Sequence, residues 1–193
     1  EQIRYDRVIT LEKADGAHFL RVAGSAGARS AGRRVVLLLG LLKAEQEDAA
    51  LRGAAELGVD ELRPLLCGRS VPKIAPPELP KKMSRWRRIL DEGSKISGYA
   101  IATKISEPRS LAELDWASLP SERYAALLRQ GARPIRDASP GPDVALAIGP
   151  EGDWTEPEVF CLLENGFEPI DLGPGVLRSS TAAIVGCGWL RLS

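Results

Sequence analysis

The sequence predicts an α/β domain built on a mainly parallel sheet, and three observations carry that prediction. Apolar runs without alternation, such as "VVLLLGLL" at 35–42 and "VALAI" at 144–148, suit strands covered on both faces. Between such runs lie stretches with helical spacing and capping residues. Strand and helix then alternate over most of the chain, which is the order that parallel crossovers require.

Taken in order, "IRYDRVITLEK" and "AHFLRVAG" flank Ala14-Asp15-Gly16 and read as two strands of a hairpin. "AGSAGARSAGRR", 23–34, is small, Gly-rich and basic, and reads as a linker before the first buried strand at 35–42. Residues 45–57, rich in Ala and Glu, form a helix that Gly58 stops. "ELRPLLC" is the next strand, "KKMSRWRRILDEGSKI" a basic amphipathic helix, and "YAIAT" a further strand. After a stretch broken by Pro and Ser, "ERYAALLRQ" has helical character and "VALAI" is another buried strand. Thr155 and Glu158 make a T-x-x-E capping box, Val159, Leu162 and Leu163 give that helix its apolar face, and Asn165-Gly166 closes it. "EPIDLG" is strand-like, and "RSSTAAIVGCGWLRL" is a last helix rich in small residues. No internal repeat is evident.

Composition removes several function classes. The 193 residues are 44% hydrophobic and 27% charged, with no run of about 18 apolar residues that would span a membrane. The 26 basic and 26 acidic side chains cancel, so a nucleic-acid surface has to be a local patch. Cys67, Cys161 and Cys187 form no CxxC pair and suit a reducing compartment. The single histidine, His18, provides neither a metal site of the His type nor a credible Ser-His-Asp triad, and no metal is expected. The chain starts at Glu1 without a signal-peptide pattern, and it is expected to begin inside a longer gene product.

Two late strands run into turns of one character, "IGPEGD" after Val144–Ile148 and "LGPGVLRSST" after Ile170–Leu172. Glycine lets backbone approach a ligand closely, and proline stiffens the loop before binding. Each turn also presents free N–H groups where a helix begins. Floored by Ile148, Leu172 and Leu177, the pair could hold a flat heteroaromatic with a short polar tail. Either turn alone is also an ordinary tight βα connection. Neither G-x-x-x-x-G-K-[ST] nor a G-x-G-x-x-G between strand and helix is present.

The segment "IGPEGDWTEPEVFCLLENGFEPIDLGPGVLRSSTAAI" resembles the carboxyl-terminal signature of the RsmE-type RNA methyltransferases of the SPOUT superfamily. "LLKAEQEDAALRGAAELGVDELRPLLCGRSV" is similar to that family's first βαβ unit, and the likeness covers about Val35 to the end. The resemblance implies a trefoil-knotted domain at 35–193, a linker at 25–34 and, at 1–24, a remnant of a PUA-like RNA-binding barrel. It implies S-adenosylmethionine as cofactor, methylation of uridine N3 in small-subunit ribosomal RNA, a role in ribosome biogenesis, and a homodimer. Ile148, Gly149, Pro150, Glu151 and Gly152 would hold one side of the cofactor, and Leu172, Gly173, Leu177, Arg178, Thr181 and Ala182 the other. Arg178 is the candidate catalytic cation, with an ion pair across the dimer as its other role. Such a protein would work in a bacterial cytoplasm, or in a mitochondrial or plastid matrix.

Several positions depart from the family pattern: Asp153 and Gly175 stand where it has glycine and arginine, Ser180 where it has glutamate, Tyr99 where it has arginine, and Gly53 where lysine is common. Two readings follow, an active methyltransferase or a catalytically degenerate relative that binds ribosomal RNA as an assembly factor. Lys81, Lys82, Arg85, Arg87 and Arg88, with Lys95, Arg29, Arg33 and Arg34, could form a phosphate-binding strip, or else a solvated helix face. Trp86 among them could stack on a base, or pack inward as core.

Overall fold

The computed structural model describes residues 6–14, 17–26, 32–97, 102–128 and 131–193, the first two segments as backbone. Strands β1 (Asp6–Ala14) and β2 (Ala17–Ala26) pair antiparallel with a bulge between Val8 and Ile9, as the hairpin reading expects. The remaining elements are β3 (Arg34–Gly40), α1 (Ala44–Glu56), β4 (Glu61–Leu65), α2 (Leu79–Ser97), β5 (Lys104–Ile105), β6 (Glu122–Ala126), β7 (Arg133–Pro134), β8 (Asp143–Ile148), α3 (Glu156–Glu164), β9 (Glu168–Asp171) and α4 (Ser179–Leu192).

Strands β3 to β9 form one sheet in the order β5-β4-β3-β8-β6-β9-β7, with every pairing parallel. β3 lies near the middle because nothing on it needs water: Val35, Val36, Leu37 and Leu38 are fully buried. The alternation of the strand divides them between two cores. Val35, Leu37 and Leu39 pack with buried residues of α1, α2 and α4 on one face. Val36 and Leu38 pack on the other with Leu162 of α3, Trp154, Phe167 and the short turns at 111–119. Pro64 is tolerated inside β4 because β5 pairs only as far as Leu62, so its missing N–H leaves no ladder bond unmade on that edge.

One sequence expectation changes. The described part of "ERYAALLRQ" is not a helix: residues 122–126 are β6, paired in parallel with β8 on one side and β9 on the other. Five residues after Pro120 are too few for helical propensity to win against two ladders and the burial of Tyr124 and Ala125. "YAIAT", 99–103, lies largely outside the described residues, and the described strand β5 follows it at Lys104–Ile105.

The capping box at α3 forms as expected. The Thr155 hydroxyl accepts from Glu158 N–H, and Glu158 Oε2 accepts from Thr155 N–H at 2.8 Å. Glu158 Oε1 also accepts from Gly68 N–H at 2.8 Å, which ties the start of α3 to the loop after β4. α4 is held at its far end by two arginines. Arg33 donates to the carbonyls of Leu190, Pro140 and Gly141, and Arg191 donates to Arg33 O and to Asp60.

Candidate functional site

The carboxyl ends of β6, β8 and β9 lie side by side, and their following loops enclose a cleft of about 320 Å³. That position, beyond strand ends in a parallel sheet, is where such folds bind ligands. Ile148, Ile170 and Ala182 give the cleft a buried apolar floor. Asp153, Asp171, Glu151 and Arg178 are its charged lining residues.

The turn after β8 is gripped from three directions. Asp153 N–H donates to Pro150 O at 2.9 Å, closing the turn itself. Glu151 Oε1 accepts from Lys43 N–H at 2.8 Å, fastening the turn to the start of α1. Arg69 donates to Trp154 O at 3.0 Å from the loop after β4. Gly152 is obligatory in this packing, because a Cβ there would stand 2.8 Å from Arg69 O. Three anchors on one short turn mean that little ordering remains for a ligand to impose.

The turn after β9 is looser. Gly173 has φ +144°, a conformation that side-chain-bearing residues rarely adopt, and its N–H donates to Asp171 Oδ1 at 3.0 Å. Arg178 is the N-cap residue of α4 and makes no capping bond with its side chain, which is exposed at the cleft. The first turn of α4 brings unpaired backbone N–H groups and the positive end of the helix dipole to the same rim.

Eight residues anticipated from sequence line the cleft: Ile148, Gly149, Pro150, Glu151, Leu172, Leu177, Arg178 and Ala182. Gly152 and Gly173 shape the two turns without lining it, and Thr181 is exposed on α4 away from its wall. Sequence reasoning missed Ile170, Asp171, Val176, Ser179, Gln46 and residues 126–128. The last three were hidden by the helical reading of β6, and nothing in the pattern marks Gln46.

The departures from the family pattern leave the cleft open. Asp153 has φ +62°, and its Oδ1 accepts from Trp154 N–H at 2.8 Å, a local bond that supports the left-handed backbone. Gly175 faces open space, so its lost side chain leaves no packing defect. Ser180 is buried and its hydroxyl lies 3.4 Å from Gln46 Oε1. A Cβ at Gly53 would stand 2.5 Å from Ile184 Cγ1, so a larger residue there needs the Ile184 side chain to shift. Tyr99 lies outside the described residues.

The basic helix divides in two. Trp86 is core, 1% exposed, and its indole N–H donates to the buried Glu47 at 2.8 Å. Lys82 pairs with Glu47 at 3.1 Å and Arg85 with Asp48 at 2.5 Å, so both are turned toward α1. Lys81, Arg87 and Arg88 are exposed, Arg88 within 4.0 Å of Glu92. Arg33 and Arg34 are engaged within the fold, and Arg29 lies outside the described residues.

Nucleophilic thiol chemistry has no support here. Burial pushes the thiols of Cys67 and Cys187 up to about 12, so both stay protonated, and neither lines the cleft. Among the described residues no cluster of His, Cys, Asp or Glu could hold a metal, and no helix is long and apolar enough to cross a membrane.

Comparison with known proteins agrees with the cleft. Residues 29–191 match the RNA methyltransferase domain family. The ribosomal RNA small subunit methyltransferase E of Synechocystis is 30% identical over 164 residues, 78% of this chain and 50% of that protein. Its counterpart in Aquifex aeolicus is 31% identical over 140 residues, 71% of this chain and 58% of that protein. The chain thus spans between half and two thirds of the length of these relatives. Among solved structures, a Legionella pneumophila protein described as a methyltransferase with SAM bound superposes with TM-score 0.83 at 28% identity, over 97% of this chain and 78% of that one. The Neisseria gonorrhoeae methyltransferase E superposes with TM-score 0.82 at 21% identity, over 96% and 78%, and bears on the fold alone. This chain belongs to the RNA methyltransferase domain family, and it is similar there to the small-subunit methyltransferase E proteins.

Proposed function

We propose that this chain methylates N3 of a uridine in small-subunit ribosomal RNA, with S-adenosylmethionine as donor. The observation that carries the reading is the open cleft between the β8 and β9 turns, in a chain whose family match spans that cleft. The residues present fit the donor. The apolar floor of Ile148, Ile170 and Ala182 suits a purine and ribose, while backbone groups of Gly149–Glu151 and Leu172–Leu177 serve its polar edges. The first turn of α4 suits a carboxylate.

When bound, the donor supplies a methyl group already activated by its sulfonium, so the protein's task is chiefly positioning. The rigid β8 turn provides the reference surface for that alignment. Arg178, exposed at the cleft and without a cap bond, stabilises the negative charge that develops as uridine N3 gives up its proton to solvent water. Lys81, Arg87 and Arg88 on the outer face of α2 contact RNA phosphates.

Three features of the family belong to the same proposal. α4 is threaded as part of a trefoil knot, in keeping with its packing against α1 and across β3 and β8. The β1–β2 hairpin is the remnant of a PUA-like barrel. A homodimer forms through the outer face of α4, where Ile184, Val185, Trp189 and Leu192 recur at helical spacing and stay exposed in the monomer. The reading as a degenerate scaffold gains nothing from the structure, since Asp153, Gly175 and Ser180 are accommodated without filling the cleft.

The test is methyl transfer from labelled S-adenosylmethionine to unmodified small-subunit ribosomal RNA, with nucleoside digestion to identify the product. N3-methyluridine is expected. Arg178→Ala should lower turnover about a hundredfold or more while cofactor affinity changes only a few-fold. Absence of methylated uridine with well-folded protein and intact RNA would refute the assignment.

A further inference from the structure

Asp153 is the described residue that least resembles its conformational surroundings. It is the only non-glycine residue among those described with positive φ, at +62°. Glycine is the default residue for such backbone, and a side chain held there stores strain that commonly has a functional return. One carboxylate oxygen accepts from Trp154 N–H at 2.8 Å, which fixes the side chain in place. Asp153 is exposed and lines the cleft.

Its charge is not balanced locally. Asp153 has no ion pair within 4.0 Å among the described residues, and the cleft's charged lining is three carboxylates, Glu151, Asp153 and Asp171, against one guanidinium, Arg178. Glu151 spends one oxygen on Lys43 N–H, and Asp171 spends one on Gly173 N–H. A partly enclosed cleft with an excess of negative charge favours a cationic ligand over a neutral one of the same shape.

That difference is the one between methyl donor and product. S-adenosylmethionine carries an ammonium, a carboxylate and a sulfonium, net +1; removing the methyl group leaves a neutral thioether, net zero. We propose that Asp153 is a specificity-determining residue that makes the cleft prefer the sulfonium donor over S-adenosylhomocysteine and so limits product inhibition. The inference rests on the assignment of the cleft to S-adenosylmethionine. Asp153 acts through charge across the cleft, and the residue has no part in proton transfer.

Asp153→Asn is the cleanest probe, because asparagine keeps the acceptor for Trp154 N–H and tolerates left-handed backbone, while removing the charge. Calorimetric titration of wild type and variant with S-adenosylmethionine, S-adenosylhomocysteine and sinefungin, which has an ammonium-bearing carbon in place of the sulfonium, reads the effect without turnover. In the wild type the donor should bind more tightly than the thioether. In Asp153→Asn the donor and sinefungin should weaken about tenfold, the thioether about twofold or less, and added salt should erode the wild-type preference. Asp171→Asn should have a smaller effect on the same ratio. An unchanged ratio in Asp153→Asn, or equal effects of both substitutions, would overturn the role of Asp153 while leaving the cofactor assignment intact. Wild-type protein that binds none of the three ligands would overturn both.

Discussion

Gly152 shows how little freedom the β8 turn has. Its Cβ position is occupied by the Arg69 carbonyl, which belongs to backbone and cannot swing aside. Gly152→Ala should therefore cost about 1–3 kcal/mol of stability, as overpacking does elsewhere. Cofactor affinity should fall with it, because the turn must shift to relieve the clash. Thermal unfolding and calorimetry on the same samples check both. Gly175→Ala, in open space on the other turn, should change stability by less than about 0.5 kcal/mol. The contrast matters, since sequence presents both as turn glycines and only the packing tells them apart.

α2 is a helix with two chemistries. Its inner side joins α1 through Trp86, Lys82 and Arg85, which converge on Glu47 and Asp48. Glu47 is 4% exposed, so Glu47→Ala would leave a buried indole N–H and the Lys82 ammonium without their acceptor, at a cost of about 3–5 kcal/mol. Glu47→Gln, which keeps an acceptor, should cost less, and urea denaturation of the pair measures the difference. Lys81→Ala and Arg87→Ala on the outer side should leave stability unchanged while weakening RNA binding and flattening its salt dependence.

The basic cluster was legible in sequence, but its division was not. Composition places Lys82 and Lys81 side by side, whereas the partner on α1 that claims one of them lies more than thirty positions away. The strand at 122–126 was lost for a related reason: "ERYAA" carries no β pattern, and its strand state is imposed by β8 and β9. Where local pattern and tertiary demand agreed, as in β3, β8 and the Thr155–Glu158 capping box, the elements could be read directly. The cleft was legible for the same reason, because Gly and Pro announce turns and apolar runs announce what the turns follow. Gln46 was silent because a polar residue near a helix start has many ordinary reasons to be there.

Across the whole molecule, two kinds of surface contrast. The sheet is covered on both faces, yet the outer side of α4 keeps an apolar stripe from Ile184 to Leu192. If that stripe meets its copy in a second chain, Trp189→Asp should convert dimer to monomer in sedimentation experiments while far-UV circular dichroism stays native, since Trp189 is 37% exposed in the single chain. Sedimentation of the wild type as a monomer at micromolar concentration would remove the dimer from the account. The cleft lies at the N-terminal end of the same helix, so dimer loss should also alter cofactor binding through the turn after β9.

The central claim is that the two turns, at 149–153 and 172–178, close on one molecule of S-adenosylmethionine, and a crystal structure of the chain grown with that molecule tests it most directly. Density for the ligand is expected over Ile148 and Ile170, with its polar edges on backbone of both turns and the β8 turn unmoved. Ligand bound elsewhere, or a cleft that collapses onto its own side chains and excludes it, would contradict the claim.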